Sequence, residues 1–190
     1  MKRLTHEDLK QRRLSEKEAG AAERRFPFIA IIENVRSLYN VGSIFRTSDG
    51  ARLEAIYTVG YTPHPPRAEI DKTALGATKT VPSEHFTTVE AAIEKCKTEG
   101  YHIASLEQTS QTRSVYELDK RDFPLALVIG NEVTGVSQEA LDRSEFSLEI
   151  PMIGAKHSLN VAVAYGVAVF EAVRVFKEEL DSFLPHEVPN

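Results

Sequence analysis

The stretch Pro124-Leu-Ala-Leu-Val-Ile-Gly130 is continuously apolar up to a glycine, and the polar pair Asn131-Glu132 follows it. A strand with one wet face would alternate apolar and polar residues. An unbroken run fits a strand buried on both faces of a parallel sheet. Outward from it, FIAIIE (28–33), AIYTVG (55–60), YHIASL (101–106) and FSLEI (146–150) read as further strands. VGSIFRTSDGA (41–51), TVEAAIEKCKTEG (88–100, stopping near Gly100) and SQEALDRS (137–144, capped by Ser137) carry helical patterning, and a last helix is expected over about 158–179. The three prolines of YTPHPPRAEI (61–70) predict a loop. Strands alternating with helices predict an α/β fold, a mostly parallel sheet flanked by helices.

At 190 residues and 42% apolar, the chain suits one domain with a real core, which excludes disorder as its main state. The lone Cys96 excludes a disulfide scaffold and suits a reducing compartment. The longest apolar run, Val161 to Phe170, has ten residues, too short for a bilayer that needs about 20. MKRLTHEDLK (1–10) is charged where a signal peptide needs an apolar core. A soluble cytoplasmic protein is the expectation, with no membrane partner. The net charge of −5 argues against a nucleic-acid partner, but the charge is unevenly spread. Residues 1–25 hold eight basic side chains against five acidic ones, whereas residues 171–190 hold two against five. The basic head suits either phosphate binding or a solvated, salt-bridged helix, and charge alone does not choose. Thr5 with Asp8 is expected to cap a helix over about 6–19, stopped by Gly20. The expected organisation is a basic helical extension (1–25), one α/β domain (26–180) and a short tail (181–190).

The last helix is apolar on nearly all sides from Val161 to Phe170, so it must be covered around its circumference. Ala162, Ala164, Gly166 and Ala168 keep it thin enough for another backbone to approach. Complete coverage in so small a domain most naturally needs a second subunit, and a homodimer through this helix is expected; a core supplied wholly by the chain itself is the other solution.

Several familiar sites are missing. GNEVTG (130–135) has the glycine spacing of a phosphate loop, but Val136 and Ser137 follow where lysine would be needed, and no G-x-G-x-x-G occurs. The six histidines are scattered without metal-ligand spacing, so no metal site is expected. Cys96 shares a helical face with Val89, Ala92 and Ile93 and reads as core. Ser158 lacks a nucleophile elbow.

Three polar segments instead sit where strands end. They are Asn34-Val-Arg-Ser-Leu-Tyr-Asn40-Val-Gly42-Ser-Ile-Phe-Arg46-Thr47, Gly130-Asn-Glu132-Val-Thr-Gly135-Val-Ser137, and Ile150-Pro-Met152-Ile-Gly154-Ala-Lys-His-Ser158-Leu-Asn160. Ligands of open α/β sheets bind beyond the carboxyl ends of the strands, where such loops converge. Singly, each has a plainer reading: Asn40 and Ser158 as helix caps, Arg46 paired with Asp49. In this order and spacing the segments resemble the SpoU/TrmH family of SPOUT RNA methyltransferases, over residues 27–177. The third segment is the most specific.

The resemblance implies a deep carboxyl-terminal trefoil knot, which no topology rule would predict. It also implies S-adenosyl-L-methionine bound in that knot, a homodimer, and methylation of a ribose 2′-hydroxyl in tRNA or rRNA. Carried onto matching positions, Arg46 is the catalytic residue, with Asn40, Glu132, Ser158 and Asn160 beside it. A guanidinium is a poor base, so Arg46 is expected to hold the adjacent phosphate and stabilise the developing alkoxide. Asn40, Asn160 and Ser158 would fix the ribose or the arginine; Glu132 would orient Asn or Arg side chains or meet the cofactor's positive charge. Gly130, Ile150, Met152, Ser158 and Leu159, with Leu106 as a further candidate, would cradle the cofactor. Val133 stands where the family often carries Gly, and Ala162 where many members have Ser; neither removes a catalytic group. Two other readings stand beside this one: an RNA-binding SPOUT homologue without catalysis, and a methyltransferase for a base or a protein.

Overall fold

The alternation hidden inside the apolar strands becomes visible once each side chain is assigned to a face. In β1 (Phe26–Glu33), Phe28, Ala30 and Ile32 enter one buried cluster and Ile29 and Ile31 another. In β6 (Leu125–Ile129), Leu125, Leu127 and Ile129 divide from Ala126 and Val128 in the same way. Both strands are therefore buried on two faces, as continuous apolar runs require. The structure, a computed structural model, describes residues 3–5, 7–8 and 25–180, with side chains to Phe176.

β1 and β6 pair in parallel, Phe28 opposite Leu125 and Ile32 opposite Ile129. Around them lie β2 (Leu53–Val59), β3 (Ser83–Phe86), β4 (His102–Leu106), β5 (Thr112–Ser114) and β7 (Phe146–Glu149). The seven strands run in the order β3-β2-β1-β6-β4-β7-β5, every pair parallel. All carboxyl ends thus open on one edge.

On one face pack α1 (Leu38–Ala51), α2 (Ala68–Ala74) and α5 (Val161–Leu180); on the other pack α3 (Val89–Thr98) and α4 (Gln138–Arg143). Phe176 of α5 meets Phe26 and Phe123 at ring-centroid distances of 5.5 and 5.2 Å. Burying one such side chain contributes roughly 1.5–3 kcal/mol. The fully buried Tyr165 adds a directional tie, its hydroxyl 2.6 Å from Ser48 Oγ on α1. Gly42 is fixed by packing: a Cβ there would lie 1.9 Å from Thr73 Oγ1 and 2.6 Å from the Ile70 carbonyl oxygen, so only glycine admits α2.

Several boundaries differ from the sequence expectation. α1 begins at Leu38 because the Ser37 hydroxyl accepts from the Asn40 amide at 3.2 Å; Ser37, not Asn40, is the cap. The proline-rich loop ends at Arg67, where α2 begins. α5 starts at Val161, its first amides capped by Asn160 rather than Ser158. Ser137 caps α4 as expected. Cys96 is core, and burial pushes its thiol up to about 12. The Thr5–Asp8 cap forms reciprocally, Asp8 N donating to Thr5 Oγ1 and Thr5 N to Asp8 Oδ2; the rest of the 6–19 helix and the 181–190 tail lie outside the described residues. Among the described residues no helix is long and apolar enough to cross a membrane.

Candidate functional site

β1, β6 and β7 deliver the three polar segments to the same edge of the sheet. The second segment is shaped by its glycines. Asn131 and Gly135 exchange amide-to-carbonyl hydrogen bonds of 3.0 Å, and Gly135 has φ +70°. A Cβ on Gly130 would lie 2.2 Å from the backbone of Gly135 and Val136, so this turn can close only over glycine. The result is one cavity of about 520 Å³ between the second and third segments and the end of β4. Leu106, Gly130, Ile150, Met152, Ser158 and Leu159, the six expected cofactor residues, all line it, and so do Glu132 and Asn160.

Glu132 joins the segments. Its Oε2 accepts from the Arg36 amide at 3.1 Å; its Oε1 accepts from the Ser37 amide at 3.2 Å and from Asn40 Nδ2 at 3.0 Å. Desolvation pushes its pKa up, but its own amide, those of Arg36 and Ser37, and Asn40 together hold it below the ordinary carboxylate value. Asn160 Nδ2 in turn donates to Asn40 Oδ1 at 3.2 Å, while Asn160 Oδ1 accepts from the amides of Ala162 and Val163. A single chain of bonds therefore runs from the start of α5 through Asn160, Asn40 and Glu132 to the start of α1. Asn40 and Asn160 each keep one side-chain N–H free of any partner among the described residues. Glu132 thus both bonds Asn40 and lines the cavity.

Arg46 stands apart from this cavity within the chain. Six residues beyond Asn40 on α1, it is about 9 Å further along the helix and a third of a turn around it. It lines a separate groove with Ser43, Thr47, Gly50, Lys72 and Phe170. Asp49 does not pair with it: the Asp49 carboxylate accepts from Thr80 Oγ1 at 2.5 Å. The face that carries Arg46 also exposes Tyr39 on α1, and Val163 and Phe170 on α5, each more than half exposed.

Three contributors escaped sequence reading. Buried Asn131 donates through Nδ2 to the Asn34 carbonyl (2.7 Å) and the Tyr61 hydroxyl (3.0 Å) and accepts from the amides of Val133 and Thr134. Glu107 lines the cavity and accepts from the amides of Gln108 and Val136. Gln108 donates through Nε2 to the His157 carbonyl at 3.0 Å, tying the third segment to the end of β4. Glu107 was detectable in principle, as an acid at the carboxyl end of an apolar strand. Among the described residues no three His, Cys, Asp or Glu side chains form a cluster that could hold a metal ion.

The family model of the SpoU rRNA Methylase family matches residues 27–170. The 23S rRNA (guanosine-2′-O-)-methyltransferase RlmB of Vibrio vulnificus is 31% identical over 153 residues, 80% of this chain and 61% of that protein. The crystal structure of a TrmH/SpoU tRNA modifying enzyme from A. aeolicus superposes with a TM-score of 0.78 at 27% identity, covering 94% of this chain and 87% of that one. An AdoMet-bound rRNA methyltransferase from Sinorhizobium meliloti gives 0.73 at 26% identity, covering 82% and 59%. The chain spans about six-tenths of the length of the curated relatives it matches. With the family model spanning most of the sequence and all three of its motif segments, the chain belongs to the SpoU rRNA methylase family.

Proposed function

We propose that the chain transfers a methyl group from S-adenosyl-L-methionine to a ribose 2′-hydroxyl of tRNA or rRNA. The observation that carries this reading is that residues far apart in sequence line one cavity, with the Glu132–Asn40–Asn160 chain beside it. The cofactor fits the lining. Apolar side chains of Leu106, Ile129, Leu148 and Ile150 suit an adenine ring, and the amides of Met152, His157, Ser158 and Leu159, which line the same cavity, have no partner among the described residues and are free to read its edge. When bound, the cofactor supplies an electrophilic methyl on a sulfonium sulfur, a good leaving group. The protein is left to align the acceptor oxygen and ease loss of its proton.

Ser158, whose hydroxyl has no partner among the described residues, and the spare N–H groups of Asn40 and Asn160 hold the ribose. Arg46 holds the flanking phosphate and the developing alkoxide. Because Arg46 shares a face with exposed Val163 and Phe170, we infer that two chains pair through α5 and that each Arg46 serves its partner's cavity. We also infer the family's trefoil knot for the 130–160 region, a reading supported by the ties from Glu107 to Val136 and from Gln108 to His157. Residues 1–25 form a basic extension that adds phosphate contacts, and the buried Cys96 thiol suits a cytoplasmic setting. Calorimetric titration with S-adenosyl-L-methionine, followed by labelled-methyl transfer to total cellular RNA, tests the reading. Binding with transfer is expected; RNA binding without either would establish the non-catalytic alternative.

A further inference from the structure

A second groove of about 390 Å³ opens beside the candidate site, walled by Arg36, Tyr61, His64, Arg67 and His85. Its described lining holds two guanidiniums and two imidazoles and no carboxylate, in a chain whose net charge is −5. The nearby acid Glu84 is already tied to Lys95. Flat surfaces are concentrated here as well. Tyr61 is 54% exposed, with the Arg36 guanidinium 5.7 Å from its ring centroid, and His64 stacks on His85 at 4.3 Å. The groove's floor is anchored, since the Thr62 hydroxyl donates to the Ile32 carbonyl at 2.9 Å and accepts from the Val35 amide at 3.1 Å.

Two walls are hydrogen-bonded to residues that line the first site. The Tyr61 hydroxyl accepts from Asn131 Nδ2, and the Arg36 amide donates to Glu132. The two openings are thus neighbours, within reach of successive nucleotides of one strand. We propose that this groove binds the single-stranded RNA flanking the nucleotide to be methylated, with Tyr61 as a stacking platform and Arg36 and Arg67 on phosphates. Base stacking on an aromatic ring tolerates any sequence, while paired cations fix the backbone path. The inference rests on the RNA reading given above.

Arg67→Glu and Tyr61→Ala test it in the full-length protein, with a short oligouridylate and bulk tRNA as probes. The Arg67 side chain has no partner among the described residues and precedes α2, where an acidic side chain suits the helix dipole; this variant is expected to fold. Each variant should weaken RNA binding about tenfold, and Arg67→Glu should lower the salt slope by about one. Affinity for S-adenosyl-L-methionine should stay the same in Arg67→Glu, whose side chain touches no residue of the cofactor cavity, and in Tyr61→Phe, which keeps the ring and should keep RNA affinity as well. Unchanged RNA affinity and salt slope, in a protein whose wild type methylates RNA, overturn the groove alone. A wild type that neither binds nor methylates RNA overturns the underlying reading with it. Full displacement of RNA by uridine monophosphate at equal concentration would assign the groove to a small anion and also overturn the proposal.

Discussion

Glu132 gathers two backbone amides and one side-chain amide, so its ionised form is bonded in the folded state and not in the unfolded one. Its folded pKa lies below its ordinary 4.5. The stability it adds is complete above that ordinary value and fades as pH falls through the lower folded one. Unfolding curves of wild type and Glu132→Gln should thus differ by a constant amount above about pH 4.5 and converge on acidification; a gap that persists under acid would contradict this. Arg46 poses a different test, because nothing among the described residues holds it in place. Arg46→Ala should lower turnover by about 10²–10³-fold while calorimetry finds cofactor affinity unchanged. Normal turnover would remove Arg46 from the chemistry.

At the scale of elements, Asn160 performs two tasks that one substitution pair can separate. It caps α5 through Oδ1 and reaches Asn40 through Nδ2. Asn160→Ala loses both and should cost about 1 kcal/mol of stability. Asn160→Asp keeps the acceptor, so its melting temperature should stay near wild type while turnover falls as in the alanine variant. Equal melting of all three proteins would deny the cap. The elements that escaped the sequence share a physical cause. β3 (SEHF) and β5 (TRS) are short, polar edge strands with no apolar run to announce them, defined only by their neighbours. α2 emerges directly from three prolines, and its register depends on Gly42 of another helix. The central strands were legible because burial on two faces demands apolar continuity. Gly130, Glu132, Ile150, Met152, Ser158, Leu159 and Asn160 were legible as candidates because they fall in two spaced motifs. Asn131 and Glu107 were less so, since their roles rest on partners 29 to 97 residues away.

The whole molecule leaves Val163 and Phe170 of α5, with Tyr39 of α1, more than half exposed on the face that carries Arg46. A stable pairing needs about 800 Å² buried on each partner, more than those side chains alone supply, so the proposed dimer would have to bring α1 and α5 together into contact. If two chains pair as proposed, light scattering should find a dimer for the wild type and a monomer for Phe170→Asp, and methyl transfer should be abolished in the variant, since Arg46 would then have no partner cavity to enter. An active monomer would place Arg46 in its own chain's site. The most direct measurement follows labelled methyl from S-adenosyl-L-methionine into RNA and identifies the labelled nucleoside by mass spectrometry after complete nuclease digestion. A nucleoside methylated on the ribose 2′-oxygen is predicted. Label confined to a base, or absent from RNA altogether, would contradict the account.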